Sequence, residues 1–219
     1  MRTRSYWRVA ATVAALGLAA AGAEGCHWLA SWAFAERHPK DTIKVEYPLA
    51  ADRLVIVVYA GTDVLFSAPA APVEISGDMV NEIARTLAPR VKTIIHPVEV
   101  VKWQESNLEW PNMSLMDIAK AFQADVILYV ELEQYTMVEE NSASLLRGHV
   151  RARIQVGQAA AEHNPVYETH VETLFPEDRP AGILETSERT IRIHTNRLFA
   201  QAVVNKFHDY QVEVRGGRS

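Results

Sequence analysis

The chain lacks the residues and motifs by which many enzymes are recognised. Its 219 residues include a single cysteine, so no intramolecular disulfide can form and the core must hold the fold together. HExxH, CxxC, GxSxG, GxGxxG and P-loop patterns are all absent. We therefore predict that the protein is not an enzyme, with no catalytic residue and no cofactor.

An excess of basic residues is also missing. The formal net charge is −5, and the chain after residue 25 carries 19 basic and 26 acidic residues, a balance of −7. Nucleic acid needs a basic binding surface, and anionic lipid attracts one. The hydrophobic fraction of 48% is typical of a globular protein. These values predict a folded domain that does not bind nucleic acid.

The first residues have the composition of an export signal. Arg2, Arg4 and Arg8 form a positive start, and an uncharged stretch of 15 residues follows from Val9 to Ala23. This is the length of a signal-peptide core and is short for a membrane-spanning helix, which needs about 20 apolar residues. The pattern predicts that residues 1–25 are a signal peptide and that the protein is exported.

The lone cysteine, Cys26, falls where this signal ends and follows the small residue Gly25. We predict cleavage before Cys26 and acylation of its thiol, palmitate included, which would anchor a lipoprotein on the periplasmic side of a membrane. Two alternatives stay open. Ala21-Gly22-Ala23 is a good site for ordinary cleavage, and the apolar stretch 28–35 would let an uncut helix act as the anchor.

The rest of the chain divides into three predicted segments. Residues 26–50 are interpreted as a lipidated tether, residues 51–211 as a single α/β domain, and residues 212–219 as a frayed tail. Continuous apolar runs predict buried strands at 54–59 and 91–95, and spacings of three and four predict helices after Met79, after Ser114 and from Ser187. Gly61 to Pro72, with two prolines, is predicted as a loop, and the stretch after Pro97 through Trp103 as a short helix or an irregular segment.

The second half of the domain has strictly alternating strands. Glu131 and Glu133 share a phase on the strand that begins near residue 125, Arg151 lies on the polar phase of the next strand, and Glu168 and Glu172 lie on that of the third. We expect a basic strand between two acidic ones, with this face exposed to water. The element order is β-α-β-α-β-β-β-α, which predicts an α/β (α+β) fold with one mixed sheet and helices mainly on one face.

Two chemical alternatives concern the same polar faces. His149 and His170 could lie close together with Glu168 or Glu172 as further zinc ligands, and the glutamates could act as a pair for acid–base catalysis. No paired short spacing and no sign of a pocket supports either idea. We interpret these side chains as solvated groups of the sheet and predict no metal.

The stretch Phe122-Gln123-Ala124-Asp125 followed by an apolar strand through Val130, together with the element order and the predicted acylated cysteine, resembles a known family. It is similar to the α/β domain of envelope lipoproteins of the curli-secretion CsgG type and of the amino-terminal domain of TolB. The resemblance spans about residues 54–207 and implies a non-enzymatic envelope protein that assembles with partners. It implies no site residue, and the chain shows no extra amphipathic hairpins for a membrane pore.

Four side chains are candidates for an interaction surface: Trp103, Trp110, and the loop residues Asp178 and Arg179. The sequence thus predicts a binding or assembly module of a membrane-associated complex in the cell envelope. Its partners would be the membrane, through the lipid, and another envelope protein. The alternative is a periplasmic enzyme or small-ligand-binding protein whose site comes from residues distant in sequence.

Overall fold

The computed structural model describes residues 40–213. The strands are β1 (Lys40–Ile43), β2 (Ala51–Ala60), β3 (Val91–Ile94), β4 (Val126–Val138), β5 (Leu145–Gln158), β6 (Tyr167–Phe175), β7 (Ala181–Gly182) and β8 (Tyr210–Glu213). The helices are α1 (Thr62–Ser67), α2 (Ala71–Thr86), α3 (Pro97–Ser106), α4 (Leu115–Ala121) and α5 (Glu188–Val204), with 3-10 turns at Trp110–Asn112 and Asn205–Phe207.

Most of these elements form one compact unit, Ile43–Tyr210, around a mixed sheet. The strand order is β3-β2-β4-β5-β6, and the short β7 also pairs with β5. Strands β2, β3 and β4 are parallel, whereas β4, β5 and β6 form an antiparallel meander. This confirms the predicted mixed α/β class. A second unit contains the described residues 40–42 and 211–213, and β1 pairs with β8 in a sheet of two strands.

Strand β2 is the most deeply buried part of the sheet, because every residue from Leu54 to Val58 is buried. Leu54, Ile56 and Val58 belong to the core under α2 and α5, while Val55 and Val57 belong to a second core with α3 and α4. Helices therefore cover both faces of the sheet at β2. The prediction that the helices pack mainly on one face is wrong, since a strand that is apolar in both phases needs a cover on each side.

Local signals set where the helices begin. Ser114 accepts a hydrogen bond from the Asp117 amide, and Ser187 accepts one from the Thr190 amide, as expected for residues that cap α4 and α5. The segment predicted as a loop, 61–72, instead holds α1 and the start of α2. A proline at the start of α2 favours an early beginning, because its fixed φ suits the first helical turn.

The ends of the described chain differ from the expectation. Strand β1 lies in the segment that the sequence indicated as a tether, and Leu49 is fully buried. Strand β8 includes Val212, the first residue of the predicted frayed tail. The predicted signal peptide and Cys26 lie outside the described residues, so their interpretation stays a prediction. Within residues 40–213, no helix has both the length and the apolar character needed to cross a membrane.

Candidate functional site

The second face of the sheet changes character along β4. In one phase this strand reads Ile127, Tyr129, Glu131 and Glu133. Ile127 is fully buried in the core with α3 and α4, whereas the side chain of Glu131 is 29% exposed. The helical cover thus ends partway along β4, and the same face is open to solvent over the rest of the meander. We call this open part the polar face.

Ion pairs and hydrogen bonds join the three strands of the polar face. Its cross-strand pairs are Arg153 with Glu131, Arg151 Nε with Glu133 Oε2 at 3.1 Å, His149 Nε2 with Glu172 Oε1 at 2.6 Å, His170 Nε2 with Glu133 Oε1 at 3.2 Å, and Gln155 Nε2 with Glu168 Oε2 at 2.5 Å. The hydrogen bonds that Arg153 donates to Glu131 raise the pKa of Arg153. This confirms the predicted basic strand between two acidic ones. The glutamates of β4 pair with arginines, whereas Glu168 and Glu172 of β6 bind a glutamine and a histidine, so opposite charges are matched mainly between β4 and β5.

The histidines of the polar face do not converge on one point. His149 pairs with Glu172 and His170 with Glu133, so each imidazole has its own carboxylate. The described residues contain no group of three or more side chains that could hold a metal ion. The arrangement is that of a solvated ion-pair ladder, in which such pairs contribute about 0.2–1 kcal/mol each.

A polar cleft of about 590 Å³ borders this ladder where β2 and β4 meet the 3-10 turn. Tyr59, Tyr129, Glu131 and Arg153 line it, and Arg153 is already paired with Glu131. Burial, followed by the charge of Glu131, raises the pKa of Tyr129 above its usual range. The neutral Tyr129 phenol and the ion-paired Arg153 guanidinium can form hydrogen bonds, but neither is a free base. We therefore assign this cleft no reaction.

A second cleft, of about 330 Å³, opens at the carboxyl end of β2 and is mostly apolar. The chain leaves β2 toward α2 on one face of the sheet and leaves β3 toward α3 on the other. Such a divergence creates a crevice at the ends of parallel strands, which is a common place for binding. We call it the apolar cleft. It is lined by Val58, Tyr59, Ala60, Leu65, Pro69, Pro72, Val73, Val101, Gln104, Glu105, Trp110 and Pro111.

Apolar side chains around this cleft are unusually exposed. Leu65 lines it and is 42% exposed, and the adjacent Phe66 on α1 is 93% exposed. Leu108, in the turn before Trp110, is 82% exposed. Leu65 is thus a lining residue that is also exposed, while Phe66 and Leu108 are near lining residues in the chain; exposed apolar groups at a cleft favour a contact surface.

The structure separates the four predicted interaction residues. Trp110 lines the apolar cleft and packs edge-on against Tyr59, with ring centroids 5.7 Å apart. Trp103 packs against Phe122 at 5.0 Å and belongs to the core under α3 and α4. Asp178 lines a groove beside β6, and Arg179 is exposed in the same loop. Only Trp110 therefore lies at the cleft.

The loop that carries Asp178 and Arg179 is held by β5. Arg147 Nε donates to the Pro176 carbonyl at 3.1 Å, and its Nη2 donates to the Glu177 carbonyl at 2.5 Å. Leu65 and Phe66 were not among the predicted interaction residues, because they fall in a segment interpreted as a loop. The run Val64-Leu65-Phe66 was the available signal, since three adjacent apolar residues are unusual in a solvated loop.

Comparisons with known proteins give structural matches only. No protein-family model matches the sequence, and no curated protein matches it. Similar solved structures include a PelC dodecamer from Paraburkholderia phytofirmans, at 11% identity over 78% of this chain and 99% of that chain with a TM-score of 0.42. Lipoprotein GNA1162 from Neisseria meningitidis matches at 10% identity over 70% and 96%, with a TM-score of 0.46.

Protein XCC0632 from Xanthomonas campestris matches at 8% identity over 74% of this chain and 82% of that chain, with a TM-score of 0.42. These matches assign the chain to no family. The resemblance to CsgG-type lipoproteins and to the amino-terminal domain of TolB therefore stays a prediction.

Proposed function

We propose that this protein is a non-enzymatic lipoprotein of the cell envelope, anchored through Cys26, that binds another envelope protein at the apolar cleft. The observation that carries the proposal is the mostly apolar cleft, with Leu65 in its lining 42% exposed. Apolar surface of this kind is costly to leave in water, at about 25 cal/mol per Å².

The cleft does not have the composition of a catalytic site. Of its lining side chains, only Glu105 carries a charge, and Gln104, the Tyr59 hydroxyl and the Trp110 indole N–H are the other polar groups. Nucleophilic catalysis commonly uses a nucleophile beside a base, and the lining contains no serine, threonine, cysteine, lysine or histidine. A partner segment with an aromatic or aliphatic side chain, flanked by a hydrogen-bond donor for Glu105, fits this lining better than a reacting substrate.

The anchor is tested by replacing the acylated atom. Cys26→Ser should release the protein into the soluble fraction or stop its maturation, and the wild-type chain should stay with the membranes. Normal processing with continued membrane association would contradict the lipoprotein proposal and favour an uncleaved helix.

Partner binding is tested by cross-linking in intact membranes, followed by purification of the chain. Leu65→Asp should abolish a discrete cross-linked product, because the new carboxylate in the cleft lining cannot be desolvated against an apolar partner. Leu184→Asp is the matched control, since Leu184 is 98% exposed and lies outside the cleft lining. Equal loss in both variants, or no loss in either, would contradict binding at the cleft.

A small apolar ligand is the second candidate for the same cleft. Its volume of about 330 Å³ lies at the lower end of the range for ligand pockets, roughly 300–1,000 Å³. Native mass spectrometry of the purified protein distinguishes the two. A bound molecule of a few hundred daltons that is lost in Val73→Trp would favour the ligand, whereas an unliganded mass favours the protein partner.

A further inference from the structure

The two outer strands of the six-stranded sheet differ in how they are protected. Strand β3 has four residues and carries Lys92, whose Nζ pairs with Asp52 Oδ1 at 2.6 Å. A short edge strand with a lysine is a usual defence against pairing with another chain. Strand β6 has nine residues, YETHVETLF, with no lysine and no proline among them. Its outer edge pairs with no strand of residues 40–213.

Charged side chains on β6 do not guard this edge either. Glu172 is drawn inward to His149 and Glu168 to Gln155, both on β5. His170 reaches across β5 to Glu133. Alternate residues of an edge strand direct their N–H and C=O groups away from the sheet. On β6 these backbone groups are not screened by the charged side chains of the strand, because those side chains pair toward β5 and β4.

The sequence of β6 is nearly symmetric about Val171. Three of the four pairs at equal distances from it are chemically matched, Tyr167 with Phe175, Thr169 with Thr173, and His170 with Glu172, and the fourth, Glu168 with Leu174, is not. Two copies of β6 placed antiparallel around a two-fold axis at Val171 would bring these residues opposite one another. Aromatic pairs, Thr–Thr pairs and opposite-charge pairs are the cross-strand pairs that stabilise antiparallel sheets.

The side chains needed for the charged pairs are accessible. The side chain of His170 is 59% exposed and that of Glu172 is 53% exposed. Each has a further polar atom beyond the one used within the chain, since only Nε2 of His170 and Oε1 of Glu172 are engaged. A shift by one residue in each copy would instead set Glu168 against Glu172, and like charges directly opposite are destabilising. The charges thus favour a single register.

A groove beside the β6 edge adds apolar surface that a second copy could contact. It has a volume of about 770 Å³ and runs along Glu172 to Asp178, with Leu198 and Ala202 of α5 as its other wall. Leu174 and Leu198 are 37% and 38% exposed there. In the register centred on Val171, the start of the second copy's β6 would lie beside this groove. Apolar contact would then supplement the backbone hydrogen bonds.

We propose that the edge of β6 is a homodimer interface, at which two copies of this chain pair antiparallel about Val171 and join their sheets into one. This is an isologous contact, in which the same surface serves both subunits. It leaves the apolar cleft free and does not require the lipid anchor, so it goes beyond the function proposed above and can fail or succeed independently of it.

A charge exchange tests the dimer and its register together. Sedimentation of the purified full chain in detergent should show a dimer. His170→Glu should weaken dimerisation by about tenfold or more, because it places two like-charged pairs in the interface. The double variant His170→Glu/Glu172→Lys should restore dimerisation to within about threefold of wild type, because it recreates both opposite-charge pairs.

His96→Glu is the matched control, since it makes the same change of side chain at an exposed position after β3, at the opposite edge of the sheet, and should leave the dimer unchanged. Near-ultraviolet circular dichroism of each variant verifies that its fold is intact. A wild-type chain that stays monomeric at every concentration tested would overturn the proposal. So would a dimer that His170→Glu does not weaken, or one that the double variant does not restore.

Cysteine cross-linking gives an independent readout. In the full chain carrying Cys26→Ser, a mixture of Thr169→Cys and Thr173→Cys chains should form a disulfide dimer, because these positions face each other across the axis and allow the 4.4–6.8 Å Cα separation that a disulfide needs. Either variant alone should stay largely monomeric on a non-reducing gel. Equal cross-linking in all three samples would contradict the register.

Discussion

The two halves of the sheet differ in how many of their faces are covered by helices. Around β2, helices cover both faces, and residues Leu54 to Val58 are buried without a break. Across β5, α5 covers one face only, and the strand alternates between buried residues such as Ile154 and partly exposed ones such as Arg151. The difference shows that this chain builds a closed core at one end of the sheet and leaves an accessible face and edge at the other.

The largest effect should come from charging the covered face. Ile127 and Glu131 share a phase on β4, but only Ile127 lies under α3 and α4. Ile127→Glu should destabilise the domain by more than about 4 kcal/mol or prevent folding, because a buried carboxylate there has no counter-charge. Glu131→Ile should cost less than about 1 kcal/mol, since its pair with Arg153 is partly exposed.

Denaturant unfolding followed by circular dichroism measures both variants. If the two substitutions cost similar amounts, the boundary between the covered and open parts of β4 would be wrong.

An intermediate effect is expected where α5 meets the open half of the sheet. The Tyr135 hydroxyl donates to Asn196 Oδ1 at 3.1 Å, and Asn196 is only 2% exposed. Tyr135→Phe should destabilise the domain by about 1–3 kcal/mol, because it leaves a buried amide oxygen without a donor. The midpoint of urea unfolding checks this, with Tyr210→Phe as the control. No shift in the midpoint would mean that another donor reaches Asn196.

Burial also raises the pKa of Tyr135 to about 12. Tyr135 should therefore stay neutral in alkaline buffers that ionise ordinary tyrosines near pH 10, and ultraviolet difference titration of wild type against Tyr135→Phe should show no missing transition below about pH 11. A transition lost near pH 10 would contradict its burial.

The smallest effect concerns the start of β6. Glu46 Oε1 binds Lys206 Nζ at 2.6 Å, and Glu46 Oε2 accepts from the Tyr167 hydroxyl at 2.7 Å. The hydrogen bond from Lys206, followed by that from Tyr167, lowers the pKa of Glu46 below its usual 4.5. A carboxylate with a lowered pKa in the folded state adds stability above its unfolded pKa and loses it as the pH falls through the folded value.

Glu46→Gln should therefore cost less than about 1 kcal/mol at neutral pH, because the pair is partly exposed. The gap between wild type and variant should close below about pH 4.5. Thermal unfolding at a series of pH values measures it. A gap that widens in acid would have the wrong sign and would contradict the ion pair.

Sequence patterns predicted the open half of the sheet better than the closed half. Alternation in β5 and β6 identified both strands and their polar phases, because one face packs on α5 and the other meets water. Helix α3 was left open between a short helix and an irregular stretch, since its start, Pro97-Val98-Glu99-Val100-Val101, is rich in β-branched residues that suit a strand equally well. The helical cover on the second face of β2 was not predicted for the same reason.

The apolar cleft could not be assembled from local patterns. Its lining comes from β2, α1, α2, α3 and the 3-10 turn, which meet only through the order of the parallel strands. Of the predicted interaction residues, Trp110 lies in the cleft because its ring is fixed by Tyr59, a partner 51 positions earlier in the chain. The pairing of β1 with β8 is similarly non-local, and neither segment has a strand pattern strong enough to predict it.

The most direct test of the central claim, that helices cover one face of β5 while the other stays open, compares two side chains of that strand. Ile154 is fully buried beneath α5, and the side chain of Arg151 is 47% exposed on the polar face. Ile154→Ala should cost about 2–5 kcal/mol through the cavity it leaves, and Arg151→Ala less than about 1 kcal/mol. Denaturant unfolding of the purified protein measures both. A larger cost for Arg151→Ala would contradict the account, because the polar face would then have to be buried against another element or subunit.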